Sequence, residues 1–337
     1  MKRKTLKSLI SLGLVLIITL SFAACKTKDN KELKKVRLNE VVRSVFYAPM
    51  YAAINNGYFK DEGIDIELST GQGADKTMQQ VISGSADIGF CGPEQVIYIH
   101  NQKKDNLPIV FAQLTQKDGS FLVGRKENKD FKWSDLNGKT IIGGRPGGMP
   151  EMSLEYVLKN NGVENKKNVD IITNLAFTAT AGAFKSGTGD YVALFEPTAS
   201  MLEKDKSGYI VGSIGKSAGN MPYTSFFATE SYIDKNSDLL EAFTRAIYKG
   251  QTWVLKTSNE EIAKAIESFF PGTDRDIIVS VIKNYKDIDA FSKTPVIKEE
   301  EMNRLMDIIS SYDNTLIPNK PSFDKLVTNK FSEKVVK

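Results

Sequence analysis

Histidine and cysteine are nearly missing from this sequence: His100, Cys25 and Cys91 are all that 337 residues contain. That scarcity excludes a zinc site of the usual His/Cys composition. It also excludes a disulfide framework, since two cysteines allow one bridge at most and none once Cys25 carries a lipid. Cys91 ends a short apolar strand, where a buried free thiol is expected. His100 closes a helical pattern (Val96, Ile97, Ile99) and reads as a helix-end or surface residue rather than a catalytic one. Charge of one sign is lacking too. The formal net charge is +4, and Lys2, Arg3, Lys4 and Lys7 supply as many positive charges ahead of residue 25. Without residues 1–24 the balance is 4 − 4 = 0, so nucleic-acid binding has no global support. Low-complexity segments are absent, and 41% hydrophobic content in a chain this long suffices for two packed domains.

The basic start is followed by an apolar run, Leu9 to Leu20, and by small residues, which is the pattern of a signal peptide over 1–24. The run is shorter than the ~20 residues a membrane-spanning helix needs. It ends in FAAC (22–25), which resembles the lipobox where a lipid is joined to cysteine after cleavage, although Phe22 stands where Leu, Val or Ile is usual. Cleavage after Ala23 or Ala24, giving a soluble secreted protein, is the alternative. Residues 25–35 (KTKDNKELKK after Cys25) read as a polar tether.

The chain is organised around Phe46 to Glu94. Tyr51, Ala52, Ile54 and Phe59 lie near helical spacing behind Pro49. Ile64, Ile66 and Leu68 alternate as in a half-buried strand. Gly71, Gly73 and Asp75 start a helix with Met78, Val81 and Ile82 on one face, which Gly84 stops. The strand ADIGFCG follows. Two strand–helix–strand units in succession imply parallel strands with right-handed crossovers, and ligands in such sheets sit beyond the carboxyl ends of the strands. The loops 43–47, 69–73 and 91–94 therefore converge on one binding edge. A second set of units begins at Thr140: strand TIIGGR, helix after Pro150, strand VDIITN, a loop with a short helix, strand YVALFE and a helix. GGRPGG fits neither phosphate-loop pattern, yet its glycines could let backbone N–H groups approach a ligand. Residues 106–125 read as two strands about a turn at Lys117-Asp118-Gly119, and Trp133 as a packing anchor. One long helix is expected from Leu239 to Val254, with others near 259–269, 274–286 and 298–312. Residues 314–337 read as a loosely held tail.

YAPMYAAINNGYFKDEGIDIE, the GxG loop and GSADIG resemble the periplasmic solute-binding proteins for sulfonates, nitrate and thiamine-precursor pyrimidines. DLNGKTIIGGRPGG, ALFEPTA and PYTSFFATESYI extend the likeness over roughly residues 36 to 257. The resemblance implies an α/β, two-lobed periplasmic-binding-protein fold of type II, with mixed sheets flanked by helices and a hinge between the lobes. Lobe 1 would be discontinuous, 36–121 plus 223–320, with lobe 2 at 122–222 inserted and a tail at 321–337. The hinge would be two crossings near 117–123 and 217–226.

Strand-end loops are expected to supply the ligand contacts. In lobe 1 these are Ser44, Tyr47, Gln72, Ala74 and Glu94, with Gln116 at the crossing. In lobe 2 they are Gly147, Gly148, Met149, Thr178 and Glu196. Each has a plainer role open to it. Tyr47 can pack under the first helix, Glu94 and Glu196 can be helix-start acids, and Thr178 or Thr180 can cap a helix. Glu196, before Pro197 where the family carries "EP" at its cleft, is the sharpest candidate, suited to an amine or a ring nitrogen. The resemblance implies no enzyme and no cofactor. It implies a monomeric lipoprotein on the outer face of the membrane, held through Cys25, passing a small molecule to an ABC permease and ATPase. Two other readings remain: an enzyme like the thiamine-pyrimidine synthases, which use an active-site histidine and a cysteine cluster, and a ligand sensor without transport.

Overall fold

In the computed structural model, residues 32–102 and 105–337 are described, residue 177 by its backbone only. The signal peptide, Cys25 and most of the tether lie outside the described residues. Alternation of apolar side chains sets the first strand, β1 (Lys34–Glu40), whose Val36 and Leu38 are buried. It starts within the expected tether, because Lys34 and Lys35 already pair with Ile64 and Asp65. Chain order continues through α1 (Ala48–Asn55), β2 (Ile64–Thr70), α2 (Ala74–Ile82), β3 (Ile88–Cys91), α3 (Glu94–Asn101) and β4 (Pro108–Thr115). β1 runs parallel to both β2 and β3, as two successive crossovers require. β10 (Thr224–Thr229) returns much later and inserts antiparallel between β3 and β4, giving the order β2-β1-β3-β10-β4.

The intervening chain builds a second sheet from β5 (Ser120–Gly124), β6 (Thr140–Ile142), β7 (Asp170–Ile172), β8 (Tyr191–Phe195) and β9 (Tyr209–Ser213), in the order β7-β6-β8-β5-β9. β6 is parallel to β7 and β8, whereas β5 is antiparallel to β8 and β9. Helix α4 (Met149–Asn160) follows β6, and α5 (Thr198–Lys204) follows β8. β4 and β5 thus belong to different sheets, and the turn between them is a crossing, not a hairpin.

Two crossings join the sheets, and a third segment braces them. Met221 N donates to Gln116 O at 3.0 Å and Tyr223 N to Thr115 O at 3.0 Å. Gln116 N donates to Ala290 O at 2.9 Å, and Thr115 bridges to Phe291. The brace at 289–291 has no signature in sequence, because it lies between helices with no strand pattern.

The C-terminal helices are α6 (Ser237–Lys256), α7 (Asn259–Ile266), α8 (Arg275–Asp287), α9 (Glu299–Tyr312) and α10 (Lys330–Val336). α6 lies on α1, and α7 lies on α1 and α8. α8 touches both the 3-10 turn Val45–Tyr47 and α5 of the second sheet, while α9 packs on α4. The tail is not loose. Phe331 is buried against Phe111 in an edge-on contact, Ser332 Oγ donates to Phe111 O at 2.8 Å, and Val327 bridges to Val110. A few apolar anchors in a polar stretch suffice when they meet an existing core. No helix among the described residues is long and apolar enough to cross a membrane.

Candidate functional site between the two sheets

The loop after β1 enters the space between the sheets. Ser44 caps the turn Val45–Tyr47, its Oγ accepting from Phe46 N at 3.2 Å. This fixes Tyr47, which is only 5% exposed, with its ring 4.7 Å edge-on to Phe90. The Tyr47 hydroxyl lies beside that of Thr224 in β10, and burial pushes its pKa well up. Packing and site-facing roles therefore coincide in this residue.

Glu94 opens α3 behind Pro93 and is 5% exposed. Burial pushes its carboxyl up to about 7, against the opposing pull of its own backbone N–H, the Gln95 side chain and the Arg145 charge. Arg145 is in the loop after β6, so the first sheet's acid feels a cation from the second. Glu94 Oε2 is buried without a hydrogen-bond partner among the described residues. Gly92 makes the room: a Cβ there would stand 2.0 Å from Glu94 Oε2 and 2.7 Å from Cδ. Gly92→Ala is therefore expected to displace the carboxylate and destabilise the protein by about 1–3 kcal/mol, the usual cost of overpacking. Urea titration of the variant checks this; an unchanged midpoint would place the carboxylate elsewhere.

Sequence reasoning missed a second acid. Asp118, read only as a turn residue, is fully buried at the first crossing. Oδ1 accepts from Ser120 N at 2.7 Å and from Ser120 Oγ, the Asx-turn geometry that Asp-Gly-Ser offers. Oδ2 has no partner of hydrogen-bond geometry. The hydroxyls of Tyr223, on the second crossing, and of Ser153, on α4, are near enough to pull its pKa down. Burial outweighs them and holds it up at about 6. Burial holds the Tyr223 hydroxyl well up, and the neighbouring Asp118, Tyr47 and Glu94 raise it further. Tyr285 of α8 completes the layer, its ring 4.5 Å from Phe46 and its hydroxyl unpartnered beside the Glu196 backbone.

The other candidates are placed differently. Gln116 is committed to the brace, its Nε2 donating to Asp289 O at 2.9 Å and Asp289 Oδ2 at 3.0 Å. Gln72 and Thr178 are exposed, and Ala74 is the first residue of α2. Thr178 and Thr180 do not cap a helix; Ala179 occupies that position, because a 3-10 turn runs straight into the helix Thr180–Lys185. Gly147 (φ +74°) and Gly148 form the turn before α4, Gly148 N donating to Arg145 O, and Met149 is buried. The Tyr312 hydroxyl of α9 lies against the Gly147 backbone N–H. Gly144 N is also taken: it donates to Glu151 Oε2 at 2.6 Å, whose carboxylate fills the space a side chain at Gly143 would need. The glycines of this loop thus make room for an internal acid.

Glu196 is buried with both oxygens engaged. Oε2 accepts from Ser200 N at 2.9 Å, while Oε1 accepts from Ser200 Oγ at 2.8 Å and from Asn284 Nδ2 at 2.6 Å. Among the described residues no group of three or more His, Cys, Asp or Glu side chains is arranged to hold a metal ion. What comes together is a buried layer of aromatic rings, Tyr47, Tyr223 and Tyr285 among them, beside two carboxylates that each keep one oxygen without a partner of hydrogen-bond geometry, and one approaching arginine.

A family model described as NMT1/THI5 like matches residues 45–261. The chain is 43% identical over 318 residues to YtlA, a candidate binding protein of Bacillus subtilis (strain 168), covering 94% of this chain and 95% of that one. It is 22% identical over 263 residues to the formylaminopyrimidine-binding protein of Halalkalibacterium halodurans, covering 76% of this chain and 78% of that one. The crystal structure of the periplasmic aliphatic sulphonate binding protein SsuA from Escherichia coli superposes with a TM-score of 0.70 at 15% identity, over 87% of this chain and 96% of that chain. The two sheets with their flanking helices are the two-lobed periplasmic-binding-protein fold of type II.

Proposed function

Since the chain belongs to the NMT1/THI5-like family, we propose that it is the extracytoplasmic solute-binding protein of an ABC importer. Its cargo in this reading is a small molecule with N–H donors on a nitrogen-bearing ring or amino group, a thiamine-precursor pyrimidine or an amino-sulfonate. The observation that carries the choice is the pair of buried carboxylates, Glu94 and Asp118, whose Oε2 and Oδ2 have no donor of hydrogen-bond geometry. A buried acceptor without a donor costs about 1–3 kcal/mol, which a ligand N–H would relieve. A bare anion such as nitrate would meet two carboxylates instead. The formylaminopyrimidine-binding relative supports the same side. Tyr47 and Tyr223 supply the apolar walls, and closure of the lobes about the crossings brings both acids to one ligand.

An enzyme dependent on an active-site histidine fits poorly. His100 Nε2 is bonded to Pro108 O at 2.9 Å, and it lies six residues beyond Glu94, about 9 Å along the helix. Calorimetric titration against formylaminopyrimidine, taurine, methanesulfonate, nitrate and bicarbonate tests the ligand class. Binding of an amine-bearing compound is expected; tight binding of nitrate or methanesulfonate alone would overturn the assignment. The localisation has its own test. Cys25→Ser is expected to move the protein from the membrane fraction to the medium and leave ligand affinity unchanged. Membrane retention of the variant, with no lipid taken up by the unsubstituted protein, would refute lipid anchoring.

A further inference from the structure

Helix α8 belongs with the first sheet: it packs on α7, which packs on α1, and on the turn Val45–Tyr47. Helix α5 belongs with the second, packing on β8 and β9. These two helices meet through side chains no ligand need touch. Asn284 Nδ2 of α8 donates to Glu196 Oε1 at 2.6 Å and to Ser200 Oγ at 3.2 Å. Ser200 in turn holds both Glu196 oxygens. We propose that Asn284 is a positioning residue for closure: its bond to Glu196 ties lobe to lobe and sets how much of the ligand-free protein is closed.

Three features set this contact apart from a chance surface pair. The Glu196 carboxylate is 3% exposed, so a charge is buried that only Ser200 and Asn284 satisfy. Charge-assisted bonds of this kind are about twice as strong as neutral ones. The next residue, Tyr285, is fully buried with its ring 4.5 Å from that of Phe46, tilted by 32°, in the turn that carries Tyr47. A shift of α8 would therefore be felt at the proposed ligand site. Finally, Glu196 has no free acceptor pointing elsewhere, so in this arrangement its work is to hold α8. A ligand-free population already partly closed would bind in a conformation it need not first assemble, and apparent affinity scales with that population.

The test needs no ligand, so it stands or falls separately from the substrate assignment. Small-angle scattering is recorded on residues 32–337, which contain the whole compact unit Lys34–Lys337 with its own core, as unsubstituted protein, Asn284→Ala and Asn284→Asp. The alanine variant removes the donor; the aspartate variant puts a second negative charge against Glu196. Loss of one charge-assisted bond should move the open-to-closed ratio by roughly ten- to a hundredfold. Both variants should thus show a larger radius of gyration than the unsubstituted protein, Asn284→Asp the larger. Lys204→Ala breaks a solvent-exposed pair between the same helices, Lys204 to Asp274 at 3.6 Å, and should leave the scattering unchanged. Near-ultraviolet circular dichroism reports whether each variant keeps its packing. If Asn284→Asp is folded and as compact as the unsubstituted protein, the bond does not govern closure. Equal shifts from Lys204→Ala would overturn the proposal as well, since any contact between the helices would then serve.

Discussion

Glu94→Gln is expected to weaken the binding of formylaminopyrimidine by roughly ten- to a hundredfold. The substitution keeps the size of the side chain and exchanges a carboxylate oxygen for an NH₂ group. The acceptor it removes is the buried Oε2, which has no hydrogen-bond partner, so in the proposed site a ligand N–H loses a charge-assisted hydrogen bond of about 1.5–3 kcal/mol. At about 1.4 kcal/mol per factor of ten, that is one to two orders of magnitude in affinity. Binding should also depend on pH. The Glu94 carboxyl is raised to about 7, so below that value the ligand's donor meets a protonated acid, and affinity should fall as pH drops through 7. The variant should lose the part of this dependence near pH 7 and keep the part that Asp118 supplies near 6. Glu203→Gln serves as a control: Glu203 is exposed on α5 and its Oε1 accepts from Ile210 N, a role an amide oxygen keeps. Calorimetric titration at pH 6, 7 and 8 separates the outcomes. Equal affinity of Glu94→Gln and the unsubstituted protein across that range would reduce Glu94 to a helix-start acid.

Most of the fold was legible in the sequence because it rests on short-range periodicity. The alternation Ile64, Ile66, Leu68 is a half-buried strand as read, with Ile64 buried and the other two partly so, and Leu240, Phe243 and Ile247 are buried along one helix face. The approach of the strand ends follows from parallel pairing: Gly71 N bonds to Glu40 O at the end of β1, and Val41 just after it accepts from Gly73 N and donates to Phe90 O. Side-chain partners were not legible, since they are settled by residues far apart in sequence. Glu196 looked like the sharpest ligand group, and its carboxylate is filled by Asn284, 88 positions away. Asp118 looked like an ordinary turn acid. Its burial and its neighbours Tyr223, Ser153 and Gly215 come from segments far off in sequence. The C-terminal stretch misled for a similar reason. Phe331 and Val327 carry no periodicity, but β4 offers them Phe111 and Val110.

The same buried acids predict an unusual dependence of stability on pH. A carboxyl raised by burial holds its proton in the folded state over a range where the unfolded chain has released it. Folding is then favoured at low pH, and that advantage is lost as pH rises from the unfolded value to the folded one. For Glu94 the window runs from the ordinary 4.5 to about 7, and for Asp118 from 3.8 to about 6. Glu40 and Glu196 are shifted in the same direction, also chiefly by burial. Glu62, paired with Arg245 and Lys249, is lowered instead. Its contribution is lost only below the ordinary carboxylate range, outside this window. At 1.36 kcal/mol per unit, Glu94 alone accounts for about 3 kcal/mol between pH 4.5 and 8. The ligand-free protein should therefore melt at a lower temperature at pH 8 than at pH 5. Glu94→Gln should flatten the curve, matching the unsubstituted protein at pH 5 and exceeding it at pH 8. Calorimetric melting at one-unit intervals tests both statements; a melting temperature that rises from pH 5 to 7 would reverse the sign and sink the argument. The gain at pH 8 would come from the same substitution that weakens binding. An ionised acid kept buried at a cost to stability is what a site waiting for a donor requires, with the ligand supplying the missing partner as the lobes close.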